Sequence, residues 1–206
     1  VENPTASLSE GLAAIGTARA YPRRAVVFQE GDESRQVYVV ISGRLKVFLA
    51  DGEGREIVLD YLNTGDVFGE MSLDGQPRSA SVMTLEPSKL AIVRHDELRR
   101  FLAGNPDAAF ELLTTVIRRA RNLSRVAGGL ALLDVYGRTA RMLLEMAEPE
   151  GDRLLIRERF TQHELATRVG ATREMVSRIL SDMRDGGFVT PTPDGLVIHP
   201  DLPARR

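Results

Sequence analysis

From Tyr21 to Val93, hydrophobic and polar positions alternate with period two, the pattern of strands that bury one face. Val37, Val39 and Ile41 share one face of such a run, Leu45, Val47 and Leu49 another, and Ile57, Leu59 and Tyr61 a third. Gly31, Gly43, Gly52, Gly54, Gly65, Gly69 and Gly75 fall between these runs or at their ends, where turns call for positive φ. Many short strands at this spacing predict a closed antiparallel barrel or roll.

The period changes at Asn105-Pro106, a helix-start signal with proline in the first turn. From Asp107 to Leu133 there is no further proline, and Leu113, Val116, Ala120, Leu123, Ala127 and Leu130 recur in alternating steps of three and four. That is the seam of a two-stranded coiled coil, although a core-facing amphipathic helix has the same spacing over this length. Small Ala120 and Ala127 within the seam admit close helix–helix approach and favour a dimer. Gly128-Gly129 weakens the helix near its end, and Asp134 is placed to cap a helix from Val135 to Ala147. Glu148-Pro149-Glu150-Gly151-Asp152 reads as a turn cluster, and a short strand follows at Leu154 to Ile156.

Thr161-Gln162-His163-Glu164 has the hydroxyl and carboxylate of a capping box. The helix that it opens stops at Gly170, and Thr172 can cap a second helix bearing Val176, Ile179, Leu180 and Met183. Counted from Gln162, Ala166 is fifth, Gly170 ninth and Val176 fifteenth. Close crossing, a tight turn and a shared core need those residue types there, so the pair reads as a helix-turn-helix. Phe188 to Thr190 and Leu196 to His199 flank Pro193-Asp194-Gly195 as a hairpin wing. Arg173, Glu174 and Arg178 lie near the start of the second helix, the end that enters a major groove. Arginine pairs bidentately with guanine, and a carboxylate accepts from cytosine N4.

Composition narrows the choices. The chain has 206 residues, 43% hydrophobic and 27% charged, with formal net charge −2 and no cysteine. Disulfides, thiolate-ligated zinc, cysteine-ligated iron–sulfur clusters and cysteine nucleophiles are thereby excluded. No apolar run approaches the roughly 18 residues of a membrane span, Val1 to Ser9 carries no secretory-signal pattern, and a cytoplasmic location is expected. The three histidines, His95, His163 and His199, are scattered and no nucleophile–base spacing is evident, so an enzyme is not expected. Lys46 and Lys89 are the lysines; between Arg118 and Arg141 six arginines face one acid, Asp134. Such a cluster suits phosphate, and it equally suits a solvated helix face.

Within the strand-rich part, Gly69-Glu70 precedes Arg78-Ser79-Ala80. Arg78 can neutralise a phosphate, backbone N–H groups near Ser79 can add donors, and Glu70 can accept from a ribose hydroxyl. A buried Glu70–Arg78 pair bridging a turn accounts for the same residues.

Taken with Leu132-Leu133-Asp134-Val135-Tyr136-Gly137-Arg138 and Arg173-Glu174-Met175-Val176-Ser177-Arg178, this cassette resembles bacterial regulators of the cyclic-AMP receptor protein and fumarate–nitrate regulator superfamily, nearer the cyclic-AMP receptor branch. The resemblance covers about residues 20 to 200. It implies an α+β architecture: an antiparallel β-roll that binds effector (1–106), a long dimerisation helix (107–133) and a winged helix-turn-helix (134–206). It implies a homodimer on a palindromic operator with TGTGA-like half-sites, controlled by cyclic AMP, with RNA polymerase as a further partner and no metal. The alternative is the same fold answering to cyclic di-GMP, to another effector or to none. By the resemblance, Gly69 and Glu70 take the ribose, Arg78 and Ser79 the cyclic phosphate, and Leu123 and Ser124 the base, Ser124 from across the dimer. Arg173, Glu174 and Arg178 read bases, while Thr161, Gln162 and Thr172 hold the DNA backbone. Leu123 departs from the pattern, since cyclic-AMP receptors carry there a threonine that bonds adenine.

Overall fold

The computed structural model describes residues 7–53, 56–151, 153–158 and 160–203. In chain order the elements are α1 (Leu8–Ile15), β1 (Thr17–Tyr21), β2 (Val26–Phe28), β3 (Gln36–Ser42), β4 (Leu45–Ala50), β5 (Glu56–Leu62), β6 (Val67–Phe68), a 3-10 turn (Glu70–Asp74), β7 (Ser81–Thr84), β8 (Ser88–Arg94), α2 (His95–Gly104), α3 (Pro106–Leu132), α4 (Val135–Met146), β9 (Glu148–Glu150), β10 (Arg153–Ile156), α5 (Gln162–Val169), α6 (Arg173–Asp185), β11 (Val189–Thr192) and β12 (Gly195–Ile198). They form two compact units, residues 1–49 with 59–123, and residues 50–58 with 124–206.

The first unit holds two antiparallel four-stranded sheets, ordered β1-β8-β3-β6 and β2-β7-β4-β5. Alternation alone would leave one face of β3 wet, yet Val37, Tyr38, Val39 and Val40 are all buried. The reason lies in what covers the sheet. Val37 and Val39 pack with Leu8 and Leu12 of α1, Leu98 of α2 and Ala108 and Leu112 of α3. Tyr38 and Val40 point to the other side, into a core with Leu45, Leu62, Phe68, Val82 and Leu90. A strand covered on both faces loses the clean alternation of a half-exposed one. The two short helices α1 and α2 lay outside the periodic signal. They start at real caps: the Ser7 hydroxyl accepts from Glu10 N, and the Glu97 carboxylate accepts from Arg94 N at 2.9 Å.

The long helix begins at the expected proline and continues through Gly128-Gly129 to Leu132. Its seam does not face the core: Leu113, Val116, Leu123 and Leu130 are 36–52% exposed, and Phe110 is 71% exposed. Asp134 caps α4 by accepting from Gly137 N at 2.7 Å.

In the second unit α4, α5 and α6 enclose a core of Leu143, Leu165, Val176 and Met183 against Ile156 and Ile198 of the sheet β11-β12-β10-β9. Part of the expected turn cluster is a strand: Pro149 pairs opposite Leu154, on edge strand β9, where a missing N–H costs no ladder bond. Asp152 lies outside the described residues. The wing hairpin turns on Pro193-Asp194, and Gly195 belongs to β12, opposite Thr192.

Candidate functional site

Glycine 69 sets up the first site. Gly69 has φ +84°, and a Cβ added there would lie 2.7 Å from Arg78 Nη1 and 3.2 Å from the Gln36 carbonyl. The side-chain-free, left-handed residue lets its carbonyl meet the Arg78 guanidinium at 2.7 Å and starts the 3-10 turn that carries Glu70 inward. Glu70 and Arg78 are only 5% and 4% exposed.

These two residues do not pair with each other. Arg78 Nη1 donates to Gly69 O and to Ser72 Oγ, and Nη2 donates to Ser34 Oγ and Gln36 O, at 2.7–3.1 Å. Its guanidinium lies 4.1 Å from the centroid of Phe28, which packs with Tyr38 and Phe68. Burial lowers the Arg78 pKa, while neighbouring Tyr38, Glu70 and Asp32 oppose that shift. With both terminal nitrogens engaged, Nε remains, buried and without a hydrogen-bond partner. A buried cationic donor left unpaired is costly unless something binds it.

Glu70 instead meets Arg119 of α3, Oε1 to Nη1 at 2.7 Å. Arg119 also donates to the Val67 carbonyl at 2.7 Å and approaches Asp60 at 3.9 Å. Burial raises the Asp60 pKa, against the hydrogen bond from Tyr61 N and the Arg119 charge. Beside it, Asn122 Nδ2 donates to Leu59 O at 2.9 Å. Neither Arg119, one of six arginines on a helix pattern, nor Asp60, a polar position in an alternating strand, carries a sequence signal that marks it. Arg138, from the same arginine cluster, does other work: it donates to the carbonyls of Leu133 and Val169 at 2.8 and 2.7 Å, tying the start of α4 to the end of α5. Arg118, Arg121, Arg125 and Arg141 are exposed, so the cluster divides between ion-pair, clamp and solvated face.

Gly69, Glu70, Arg78, Ser79 and Leu123 line one cavity of about 300 Å³ together with Asp60, Arg119 and Asn122. Apart from Ser72, its remaining wall is apolar, with Phe28, Val47, Leu49 and Val82 among its residues. Ser79 is exposed, its hydroxyl 3.4 Å from Met71 Sδ. Ser124 does not line the cavity and is exposed on α3. One anchored cation, a carboxylate pair bridged by arginine and an apolar wall suit a small, flat, anionic ligand.

The second site is the α5–α6 pair. The capping box forms in both directions: Thr161 Oγ1 accepts from Glu164 N, and Glu164 Oε2 accepts from Thr161 N at 2.7 Å. Gly170 takes φ +64°, and Thr172 caps α6 by accepting from Met175 N. Val176 is fully buried between the helices, while Thr172, Arg173, Glu174 and Arg178 are exposed along the start of α6. None of the last three forms an ion pair among the described residues. Thr161 is exposed and Gln162 half-buried at the amino terminus of α5.

No group of three or more His, Cys, Asp or Glu among the described residues could hold a metal ion. Nor is any described helix long and apolar enough to cross a membrane.

Comparison with known proteins bears on both sites. Residues 18–105 match the cyclic nucleotide-binding domain family, and residues 137–204 match the Crp-like helix-turn-helix domain family. The chain is 33% identical over 188 residues to the cAMP-activated global transcriptional regulator CRP of Pasteurella multocida, spanning 87% of this chain and 88% of that protein. It is 34% identical over 174 residues to the CRP-like cAMP-activated global transcriptional regulator of Mycobacterium tuberculosis, spanning 82% and 78%. Among solved structures, the c-di-GMP-responsive global regulator CLP of Xanthomonas campestris superimposes with TM-score 0.77 at 28% identity, over 93% of this chain and 98% of that one. With a nucleotide-binding roll, a long helix and a winged helix-turn-helix in that order, the chain belongs to the CRP family of DNA-binding transcription regulators.

Proposed function

We propose that this protein is a homodimeric, ligand-gated transcription factor in which a 3′,5′-cyclic nucleotide in the 300 Å³ cavity sets affinity for a palindromic operator. The observation that carries the reading is Arg78, a buried cation in the cavity wall whose four hydrogen-bond acceptors are all neutral. A cyclic phosphate in the cavity supplies the negative charge that those acceptors lack, with Ser79 beside it, and Glu70 and Gly69 take the ribose. Cyclic AMP is the effector in the names of the curated relatives and the reference ligand here. Cyclic di-GMP, the effector named for CLP, is twice as large, and a cavity at the small end of the ~300–1,000 Å³ range of ligand sites favours one nucleotide.

The working parts are residues 1–106 for effector, 107–133 for dimerisation and 134–206 for DNA. The outward apolar stripe from Phe110 to Leu130 supports the dimer, because burying such a stripe against a second copy removes it from water. Ser124, exposed on the same helix, is assigned to the base of the ligand across that dimer. Arg173, Glu174 and Arg178 read the half-site, Thr161, Gln162 and Thr172 hold phosphates, and RNA polymerase is the further partner. As a family of regulators, these proteins bind rather than catalyse. Isothermal titration with cyclic mono- and dinucleotides, alongside sedimentation and operator anisotropy, tests the reading. Nucleotide-dependent binding of a dimer to a two-fold symmetric site is expected. A monomer, or operator affinity indifferent to every nucleotide, would overturn it.

A further inference from the structure

We propose that the wall formed by Asp60, Asn122 and Leu123 ranks guanine above adenine, so that the tightest effector is a guanine 3′,5′-cyclic mononucleotide. This rests on the reading of the cavity as a cyclic-nucleotide site. The geometry follows from sheet order. β7, β4 and β5 are adjacent strands, and Ser79, two residues before β7, and Asp60, on β5, line the same cavity from different strands of one sheet. Arg119, touching Glu70 at 2.7 Å and Asp60 at 3.9 Å, sets the two carboxylates on either side of one guanidinium, in ribose and base positions.

The hydrogen-bonding chemistry at the base position is asymmetric. Asp60 Oδ1 accepts from Tyr61 N at 2.9 Å, and Oδ2 has Arg119 only at 3.9 Å, so the carboxylate keeps acceptor capacity toward the cavity. Guanine presents N1–H and N2–H side by side, and one carboxylate accepts both. Adenine presents a single amino donor beside the N1 acceptor, which repels a carboxylate. Asn122 Nδ2 has a second N–H beyond the one given to Leu59 O, suited to guanine O6. Leu123 offers no hydroxyl to an adenine amino group. Burial that raises the Asp60 pKa is offset when two N–H groups bind the ionised form.

Titration calorimetry of the full chain with cyclic GMP, cyclic AMP and cyclic di-GMP, on wild type and Asp60→Asn, tests this. Wild type should bind cyclic GMP at least about tenfold more tightly than cyclic AMP, since one charge-assisted bond separates them. Asp60→Asn should reverse the order, because a carboxamide both accepts from the adenine amino group and donates to N1 while opposing one guanine donor. Thermal melting of the variant checks that it folds. Equal or tighter cyclic AMP binding by wild type overturns the proposal while leaving the cyclic-nucleotide reading intact. So does an equal loss of both ligands in Asp60→Asn, which would mean that Asp60 only props Arg119. Tightest binding of cyclic di-GMP overturns the mononucleotide assignment, and no binding of any of the three overturns the parent reading itself.

Discussion

Arg119 on the long helix holds Glu70 of the 3-10 turn at 2.7 Å, with side-chain exposures of 16% and 4%. The pair makes the Glu70 carboxylate depend on α3 instead of on Arg78, eight residues on in the sequence. A ligand that bonds Glu70 therefore acts on a group already joined to the helix whose outer face carries the apolar stripe. Removing one member of a buried pair leaves an uncompensated charge, at a cost of about 3–5 kcal/mol. Arg119→Met should lower stability by an amount of that order in urea unfolding, and adding Glu70→Gln should restore part of it. Additive losses in the double variant would refute the coupling.

Arg78→Leu should abolish nucleotide binding and also lower stability, since the carbonyls of Gly69 and Gln36 lose their donors. Gly69→Ala isolates the geometry from the charge. It forces an alanine into φ +84°, costing roughly 1–2 kcal/mol, and drives a methyl group toward Arg78 Nη1. Nucleotide affinity should fall in Gly69→Ala with the arginine still present. Wild-type affinity in that variant would show that the guanidinium position is immaterial.

What the sequence revealed and what it hid divide along physical lines. The strands, the long helix, the capping boxes and the helix-turn-helix were legible because each depends on local periodicity or on residues within one turn of each other. Thr161 with Glu164 and Asp134 with Gly137 are of that kind. The partners of Glu70 and Arg78 were not legible. Arg119 is remote in sequence from Glu70, and Ser34 and Gln36 reach Arg78 from β3 and the turn before it. Charge complementarity alone allowed a Glu70–Arg78 pair as the alternative to a ligand site; the left-handed Gly69 turned the carboxylate toward α3 and gave the arginine to backbone carbonyls. Likewise Pro149 reads as a turn residue until the sheet shows it on an edge strand.

Titration of His95 should be visible in the stability of the amino-terminal unit. Its pKa is lowered from 6.5, first by burial and then by the charges of Arg78, Arg99 and Arg35. Ser72 Oγ, which accepts from Arg78, lies 3.4 Å from His95 Nε2. A histidine with a depressed folded pKa binds fewer protons when folded than when unfolded. Its contribution is therefore complete above about pH 6.5 and is lost as pH falls through the lower folded value. Unfolding free energy should decline on acidification below pH 6.5 more steeply in wild type than in His95→Gln. Parallel pH profiles would exclude His95 as the source.

On the DNA side, Arg173→Ala should weaken operator binding by about 1–3 kcal/mol and relax discrimination at one guanine, the loss expected for a bidentate base contact. Arg173 is exposed at the start of α6 behind the Thr172 cap, so truncation should leave the helix intact. Selection from random duplexes with wild type and variant reads both effects. Unchanged preference at every position would remove Arg173 from base readout.

Leu123 stands at two places at once, lining the cavity and lying on the outward seam of α3, where it is 36% exposed. Burying a leucine side chain in a dimer interface is worth roughly 1.5–3 kcal/mol at full burial, whereas a threonine there packs less well but offers a hydroxyl to a bound base. A ligand shifts a two-state equilibrium only by its differential affinity for the two states. A dimer whose interface is already stabilised by leucine needs less of that difference to reach its DNA-binding form. Appreciable operator binding without nucleotide is therefore expected of the wild type. Leu123→Thr should lower that basal binding and widen the response to cyclic AMP, because the interface loses apolar contact while the base gains a partner. Operator anisotropy with and without nucleotide, on both proteins, measures each quantity directly. A wild type that is silent without nucleotide would mean that the seam leucine does not bias the equilibrium, and the leucine would then be a packing residue of the cavity alone.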